Sequence, residues 1–130
     1  MSGTGSVTRV PVVLATVKGD IHDLGKNIVA ALLENSGFTV IDLGKDVPPE
    51  RIVEATKECS APLVGLSALM TTTVPAMEKT IALLREKSPT AKIMVGGAVL
   101  TEEYAKKIGA DGYAKDAMSA VKLTAELLAK

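Results

Sequence analysis

The sequence predicts a doubly wound α/β domain, in which a parallel β-sheet is covered by helices on both faces. The length of 130 residues corresponds to a single core. From Val10 onward, short β-branched or apolar runs alternate with amphipathic stretches of about 10–14 residues, the pattern of repeated βα units. The first run is continuously apolar, as is typical of a strand buried on both faces. Five strands and five helices are predicted.

The first strand is predicted at residues 10–17, where Pro11 is tolerable because it lies near the start. Helix one follows from about residue 24 to 36, and Gly37 stands in the position that ends helices. Strand two is predicted at residues 38–44. Helix two opens at two prolines suited to a first turn and runs to about Cys59, whose spacing places it on the buried stripe as a core residue.

The second half of the chain continues the alternation. Strand three is predicted at residues 62–69, and helix three runs from near Pro75 to the Ser88-Pro89 pair. Strand four covers residues 91–97, and helix four runs from a Thr101 cap to Gly109.

A short fifth strand at residues 112–114 leads to helix five, which Asp116 caps and which ends at about Leu128. The predicted arrangement is a flavodoxin-like (Rossmann-like) sheet with strand order 2-1-3-4-5. Such sheets bind ligands beyond the carboxyl ends of their strands, at the switch between strands one and three.

Composition excludes several function classes. Fifteen basic and 15 acidic residues give a formal net charge of zero, and three aromatic residues are too few for base stacking, so a nucleic-acid partner is not expected. His22 and Cys59 are the only histidine and cysteine. These counts exclude zinc sites of the usual kinds, cysteine-ligated iron–sulfur clusters and an internal disulfide.

The sequence also predicts where the domain begins and where the protein is found. Residues 1–8 are small and polar, which indicates a linker or a remnant of cloning, and residues 9–130 form the domain. No stretch approaches the roughly 20 apolar residues of a membrane span, and no secretory signal is recognisable. A cytoplasmic protein with no membrane partner is therefore expected.

The loop after strand one contains the only histidine. His22 lies between Asp20 and Asp23 on a glycine-bounded segment. In one interpretation it is a solvated loop residue. In the other, the Asp20 carboxylate accepts the Nδ1 proton of His22 and leaves Nε2 free as a base or metal ligand. The residues alone leave both interpretations open.

The loops after strands three and four carry hydroxyl groups and glycines. Thr72 or Thr73 is explained equally well as a cap of the next helix, whereas capping does not account for Ser67 at the end of a buried strand. Gly96 and Gly97 form either a tight turn or a stretch of bare backbone against which a ligand lies.

Two other uses of this fold do not match the residues. A phosphoacceptor receiver domain needs an aspartate where Ser67 ends strand three. A flavin mononucleotide site of the flavodoxin kind needs a Ser/Thr-rich phosphate loop after strand one and aromatic residues beside the flavin. Neither is present in the sequence. The segment from Gly19 to Gly25 is also neither a P-loop nor a dinucleotide fingerprint.

Three separated motifs resemble those of cobalamin-binding domains. They are Gly-Asp-Ile-His-Asp-Leu-Gly-Lys-Asn-Ile at 19–28, Gly-Leu-Ser-Ala-Leu at 65–69 and Val-Gly-Gly-Ala at 95–98. Together they follow the family signature D-x-H-x-x-G … S-x-L … G-G from about Val10 to the end of the chain. The sequence is most similar to corrinoid proteins of methyltransferase systems and to the cobalamin module of methionine synthase.

The resemblance implies a role for each matching position. His22 corresponds to the lower axial ligand of cobalt, and Asp20 and Thr73 to its proton relay. Thr73 replaces a serine of methionine synthase. Ser67 and Thr71 correspond to contacts of the benzimidazole tail. The complete implied set of cofactor-binding residues is Gly19, Asp20, His22, Asp23, Gly25, Ser67, Leu69, Thr71, Thr73, Gly96, Gly97 and Ala117.

The resemblance further implies a carrier that has no turnover alone. The domain would bind cobalamin base-off/His-on and pass a methyl group on cobalt between donor and acceptor methyltransferases. The alternatives are the small cobalamin subunit of an adenosylcobalamin-dependent carbon-skeleton mutase and, third, a cobalamin-dependent sensor. Only about nine residues precede strand one, so a helical cap over the upper corrin face is expected from another segment or chain, unless that face is open.

Overall fold

The computed structural model describes residues 10–129, so the linker predicted at residues 1–8 lies outside the described residues. Within residues 10–129, five strands alternate with five α-helices. The strands are β1 (Pro11–Thr16), β2 (Thr39–Asp42), β3 (Leu63–Ser67), β4 (Lys92–Gly96) and β5 (Gly112–Ala114). The helices are α1 (Leu24–Asn35), α2 (Pro49–Glu58), α3 (Val74–Lys87), α4 (Glu102–Lys107) and α5 (Ala117–Leu128), and a 3₁₀ turn at Thr71–Thr73 precedes α3.

The strands form one parallel sheet in the order β2-β1-β3-β4-β5, which confirms the predicted order 2-1-3-4-5. In its register, Leu14 of β1 lies beside Gly65 of β3, and Gly65 lies beside Met94 of β4. Neighbours in register point to the same face of the sheet. This row of three residues is the floor of the cavity described below.

Each face of the sheet carries its own core. Side chains of α2, α3 and α4, including Ile52, Met77 and Leu84, pack with Val13 and Val64 in the α2/α3/α4 core. The opposite α1/α5 core is smaller and contains nine buried hydrophobic residues, against 18 in the α2/α3/α4 core. Its members are Val12, Leu14, Ala30, Leu33, Leu63, Met94, Ala114, Ala120 and Leu127.

The predicted caps of α4 and α5 are present. Thr101 accepts a hydrogen bond from the Tyr104 amide at 3.1 Å, and Asp116 accepts one from the Ser119 amide at 2.8 Å. Helix α4 ends at Lys107 and not at the predicted Gly109, because the chain already turns there. Gly109 has a φ of +93°, a left-handed conformation that glycine adopts at little cost.

Several other elements end one or two residues earlier than predicted, or begin one residue later. Strand β2, for example, covers four residues of the predicted 38–44. Cys59 is the residue after α2; it is partly buried against the α2/α3/α4 core, and its thiol donates to the Ala55 carbonyl at 3.1 Å. Across residues 10–129, none of the helices has the length and apolar character needed to cross a membrane.

Candidate functional site

Asp20 is fully buried at the carboxyl edge of the sheet, in the loop that follows β1. Its amide donates to the Val17 carbonyl at 3.0 Å, which closes a turn. Gly19 allows this turn because its φ is +89°, and the Gly19 amide donates to the Asp46 carboxylate at 2.7 Å. The buried carboxylate of Asp20 is thereby directed into the space between the loops after β1 and β3.

The Asp20 carboxylate accepts four hydrogen bonds, two on each oxygen. Oδ1 accepts from the His22 amide at 3.0 Å and from His22 Nδ1 at 2.8 Å. Oδ2 accepts from the Leu69 amide at 2.7 Å and from the Thr73 hydroxyl at 2.8 Å. One buried carboxylate thus joins the histidine loop to the loop after β3.

These hydrogen bonds keep Asp20 ionised at neutral pH. Burial raises the pKa of the carboxyl, but the bonds from the Leu69 and His22 amides, the His22 ring and the Thr73 hydroxyl together outweigh it. The resulting pKa is about 2. Asp20 is therefore an acceptor on both oxygens and fixes the direction of each bond.

His22 is oriented by this acceptor. Because the carboxylate offers no proton, the proton of the contact lies on His22 Nδ1, and Nε2 carries a free lone pair. The side chain is 52% exposed, so Nε2 is available to a ligand. Of the two interpretations of His22, the geometry favours the one with a chemical role, since a solvated histidine needs no buried carboxylate.

Thr73 completes the chain of groups behind the histidine. It occupies the residue before α3, yet its side chain makes no capping bond to that helix. Its hydroxyl lies 2.8 Å from Asp20 Oδ2 and 2.9 Å from the Met70 carbonyl, and the single proton is shared between these two acceptors. The capping explanation for Thr73 is therefore wrong, and the interaction with Asp20 takes its place.

A slot of about 260 Å³ opens beside the histidine loop, between α1 and α5 and above the central strands. Its position at the carboxyl ends of β1 and β3 is the ligand position predicted from the strand order. The residues that line it are Leu14, Gly25, Lys26, Val29, Gly65, Leu66, Ser67, Leu69, Met94, Val95, Gly96, Gly97, Ala98, Ala114, Lys115, Asp116, Ala117 and Ala120.

Two glycines determine the shape of the slot. A Cβ on Gly65 would lie 2.6 Å from Leu14 Cδ2 and 3.2 Å from Met94 Cε, so the two neighbours close over Gly65 and form the floor. A Cβ on Gly97, whose φ is +140°, would lie 1.8 Å from the Ala68 carbonyl oxygen. The loop after β4 therefore packs directly on the backbone of the loop after β3.

The polar lining residues lie at the edge of the slot. Ser67 ends β3, Lys115 and Asp116 follow β5, and Lys26 belongs to the first turn of α1. The Lys26 side chain is 3% exposed, and its Nζ lies 2.5 Å from Asp42 Oδ1 at the end of β2. This ion pair, buried on the lysine side and open to solvent on the aspartate side, satisfies the lysine charge and connects α1 to the edge strand.

The predicted site residues divide into three groups. Asp20, His22 and Thr73 form the hydrogen-bonded chain, and Gly19 lies beside Thr73. Six others line the slot: Gly25, Ser67, Leu69, Gly96, Gly97 and Ala117. Asp23 and Thr71 are in neither group. Asp23 precedes α1, where its carbonyl accepts from the Asn27 amide, and Thr71 is exposed on the 3₁₀ turn.

Sequence reasoning missed the Lys26–Asp42 pair and the floor of the slot. Lys26 stands inside the first motif, but its partner is 16 residues away on another element, a distance that no local pattern reveals. Gly65 belongs to the second motif, and its role depends on Leu14 and Met94 beside it in the sheet. Each of these three residues lies two positions before the end of its strand, so strand ends and strand order together locate the floor.

Comparison with known proteins identifies the family of the chain. Residues 10–122 match the B12 binding domain family. Dimethylamine corrinoid protein 1 of Methanosarcina acetivorans is 48% identical over 129 residues, which are 98% of this chain and 61% of that protein. Dimethylamine corrinoid protein 3 of Methanosarcina mazei is 47% identical, covering 98% of this chain and 77% of that protein. The chain spans about three-fifths of the length of several such relatives.

Solved structures show the same relationship. A cobalamin-binding protein from Desulfitobacterium hafniense superimposes with a TM-score of 0.88 at 39% identity, over 92% of this chain and 59% of that one. The methanol:cobalamin methyltransferase complex MtaBC of Methanosarcina barkeri gives a TM-score of 0.89 at 34% identity, over 98% and 50% of the respective chains. A chemotaxis response regulator of Vibrio cholerae, 13% identical with a TM-score of 0.68 over 92% and 99% of the respective chains, shares the fold alone. The chain belongs to the B12-binding domain family.

Proposed function

We propose that this chain binds cobalamin in the base-off/His-on form and carries a methyl group between methyltransferases. The observation that supports it best is His22, which the buried Asp20 carboxylate holds by Nδ1 beside an open slot. Nε2 of His22 would hold the cobalt, and the slot would receive the nucleotide tail of the cofactor.

The residues present fit this cofactor. A corrin supplies four equatorial ligands itself, so one imidazole is enough, and the chain has one histidine. Large apolar side chains are exposed around the site: Ile21 and Leu24 beside His22, and Met118 beside Ala117. Their exposed fractions are 64%, 74% and 71%, which is unusual for such residues in a free surface and suits contact with the macrocycle.

Groups of the chain itself control the orientation and basicity of His22, the proposed cobalt ligand. Cobalamin, when bound, supplies a cobalt centre that accepts and donates a methyl group. Asp20 keeps the His22 ring in one tautomer and one orientation, and the Thr73 hydroxyl and Leu69 amide stabilise the Asp20 charge. These three contacts therefore set the basicity of Nε2, and Thr73 replaces serine in this role without loss of the hydroxyl.

The relatives favour methyl transfer over the mutase alternative. The matched curated proteins are dimethylamine corrinoid proteins, and one matched structure is a methanol:cobalamin methyltransferase complex. The partners proposed for this chain are accordingly a donor and an acceptor methyltransferase. A helical cap from another segment or chain would protect the upper face of the corrin between transfers.

Spectroscopy of His22→Ala tests the ligand assignment. The purified protein is loaded with methylcobalamin, and we expect the visible spectrum of the His-on form in the native protein and its loss in His22→Ala. Lys18→Ala is the matched control, because it changes an exposed side chain of the same loop without touching the relay. An unchanged spectrum in His22→Ala would contradict the proposal.

A second assay separates the two functions. Methyl transfer from the loaded protein to a thiol, with an added acceptor methyltransferase, is expected in the native protein. Isomerase activity with adenosylcobalamin and an added barrel subunit would favour the mutase instead. Failure to bind any corrinoid would contradict both.

A further inference from the structure

We propose that the slot selects its corrinoid by the polarity of the lower base, accepting benzimidazole-type bases and discriminating against purines. The inference rests on the proposed function and adds a specificity to it. It is derived from the distribution of polar groups along the depth of the slot.

The depth of each lining residue follows from its place in a strand or helix. Ser67 and Gly96 are the last residues of β3 and β4, so they lie at the mouth. Leu14, Gly65 and Met94 lie two residues earlier in their strands and form the floor. On the walls, Val29 and Ala120 lie about one turn inside α1 and α5.

Polarity changes sharply between these two levels. The polar lining side chains are Lys26, Ser67, Lys115 and Asp116, and all of them belong to the mouth. The floor and inner walls are Leu14, Val29, Gly65, Met94 and Ala120. Among the lining residues that the structure describes, the only side-chain heteroatom at the inner level is the Met94 thioether, a weak acceptor.

The backbone and the Thr124 hydroxyl offer no substitute. The peptide groups of Leu14, Gly65 and Met94 belong to the parallel ladder. The Thr124 hydroxyl lies 3.6 Å from Met94 Sδ, but it donates to the Ala120 carbonyl at 2.8 Å and is fully buried. A polar base edge that reaches the floor therefore loses water without gaining a partner.

This environment distinguishes bases of the same size. Benzimidazole and adenine are both two fused rings, so volume does not separate them. Adenine carries an exocyclic amine and additional ring nitrogens, and burying such groups without hydrogen-bond partners is unfavourable. Dimethylbenzimidazole instead presents two methyl groups to the floor, where they replace water on apolar surface.

The test compares cobalamin with its adenine-base analogue and with cobinamide, which has no base. Each is titrated into cofactor-free protein, and Kd is measured by calorimetry and visible spectra. We expect the adenine analogue to bind at least tenfold more weakly than cobalamin, which corresponds to about 1.4 kcal/mol. Adenine is a weaker base than dimethylbenzimidazole and detaches from cobalt more readily, which by itself would favour binding of the adenine analogue. Weaker binding of the analogue therefore cannot arise from detachment of its base. We also expect cobinamide to bind more weakly than cobalamin.

Variants of the floor locate the selectivity. Met94→Gln places an amide among the floor residues, and we expect the ratio of the two Kd values to fall at least threefold. Met77→Gln is the matched control, since Met77 is a buried methionine of the α2/α3/α4 core, and it should leave the ratio unchanged. Ala120→Ser provides the same readout if Met94→Gln does not fold. Because the two Kd values are compared within each variant, a general loss of stability or affinity affects both and cancels in their ratio.

The outcomes distinguish this inference from the proposed function. Three results would overturn the selectivity. They are equal affinity for cobalamin and its adenine analogue, cobinamide binding as tight as cobalamin binding, and a ratio of the two Kd values that the floor variants leave unchanged. All three leave His22 ligation intact, which the His22→Ala spectra report separately. Loss of the His-on spectrum in the native protein would instead contradict the proposed function.

Discussion

The two faces of the sheet are packed differently. The α2/α3/α4 core contains 18 buried hydrophobic residues, and its side chains fill the space between sheet and helices. The α1/α5 core contains nine, and a slot of about 260 Å³ remains open at its carboxyl edge. The same strands contribute to both faces, because alternate residues point in opposite directions.

The difference shows that stability and binding are divided between the faces. The α2/α3/α4 face is stabilised by close packing. The α1/α5 face leaves a cavity lined partly by glycines and alanines, and it is stabilised less because that space is not filled. The histidine loop is not weakened by this, because four hydrogen bonds to Asp20 hold it from behind. The following predictions test the division, beginning with the largest effect.

Leu84→Ala removes a fully buried side chain from the α2/α3/α4 core. We expect the free energy of unfolding to fall by about 2–5 kcal/mol, because the transfer and cavity costs add. Denaturant unfolding measures this loss. Cobalamin affinity of the folded variant should stay unchanged, and a parallel loss of affinity would show that the two faces are coupled.

Ala117→Leu adds a large side chain at the slot, on the first turn of α5. We expect about hundredfold weaker cobalamin binding, or about 2.7 kcal/mol, because the added atoms take the space of the nucleotide tail. Unfolding free energy should change little. Ala125→Leu, on the exposed side of the same helix, is the control and should bind as the native protein does.

The lowered pKa of Asp20 predicts that the free energy of unfolding of the cofactor-free protein falls at acid pH. Its pKa is lowered to about 2 in the folded state, from 3.8, so the stabilisation is present above pH ~4 and is lost as pH falls through the folded-state value. The contribution is about 2 kcal/mol. Asp20→Asn should remove it.

Unfolding measured between pH 7 and 3 tests this sign. The difference between native protein and Asp20→Asn should shrink toward low pH. Asp23→Asn serves as the control, because Asp23 accepts no side-chain capping bond from α1. A difference that is constant with pH would show that Asp20 stabilises the loops without its charge.

Leu24→Ser gives the smallest effect. The Leu24 side chain is 74% exposed, so the free energy of unfolding should change by no more than about 0.5 kcal/mol. Cobalamin affinity should fall severalfold if the corrin covers this side chain. Asn27→Ser, exposed on the same helix, should affect neither quantity, and equal affinities for both variants would exclude Leu24 from the contact surface.

The fold and the histidine loop could be predicted from sequence because their signals are local. Alternation of apolar runs gave the elements, and the strand order followed from their number and from the rules for parallel sheets. The Asp20–His22 contact could also be anticipated, since two residues separate the partners. Thr73 could be placed only by its resemblance to a family position, because 53 residues separate it from Asp20.

The remaining features depend on contacts between distant elements. Gly65 resembles any strand glycine until Leu14 and Met94 are known to flank it. The resemblance implies that Thr71, two residues after the second motif, contacts the cofactor, and this stays a prediction: the 3₁₀ turn leaves Thr71 exposed and outside the slot lining. Turn geometry of this kind is set by tertiary hydrogen bonds, here those of Asp20 to Leu69 and Thr73, and not by the local sequence.

The half-buried ion pair of Lys26 and Asp42 is expected to have a kinetic consequence. It attaches α1, one wall of the slot, to the edge strand on the side away from α5. We expect this contact to hold the wall at its distance from α5 before any ligand arrives, so that binding needs no opening of α1. Association of cobalamin should then be limited by release of its own base from cobalt, and its rate should be independent of protein concentration once the protein is in excess.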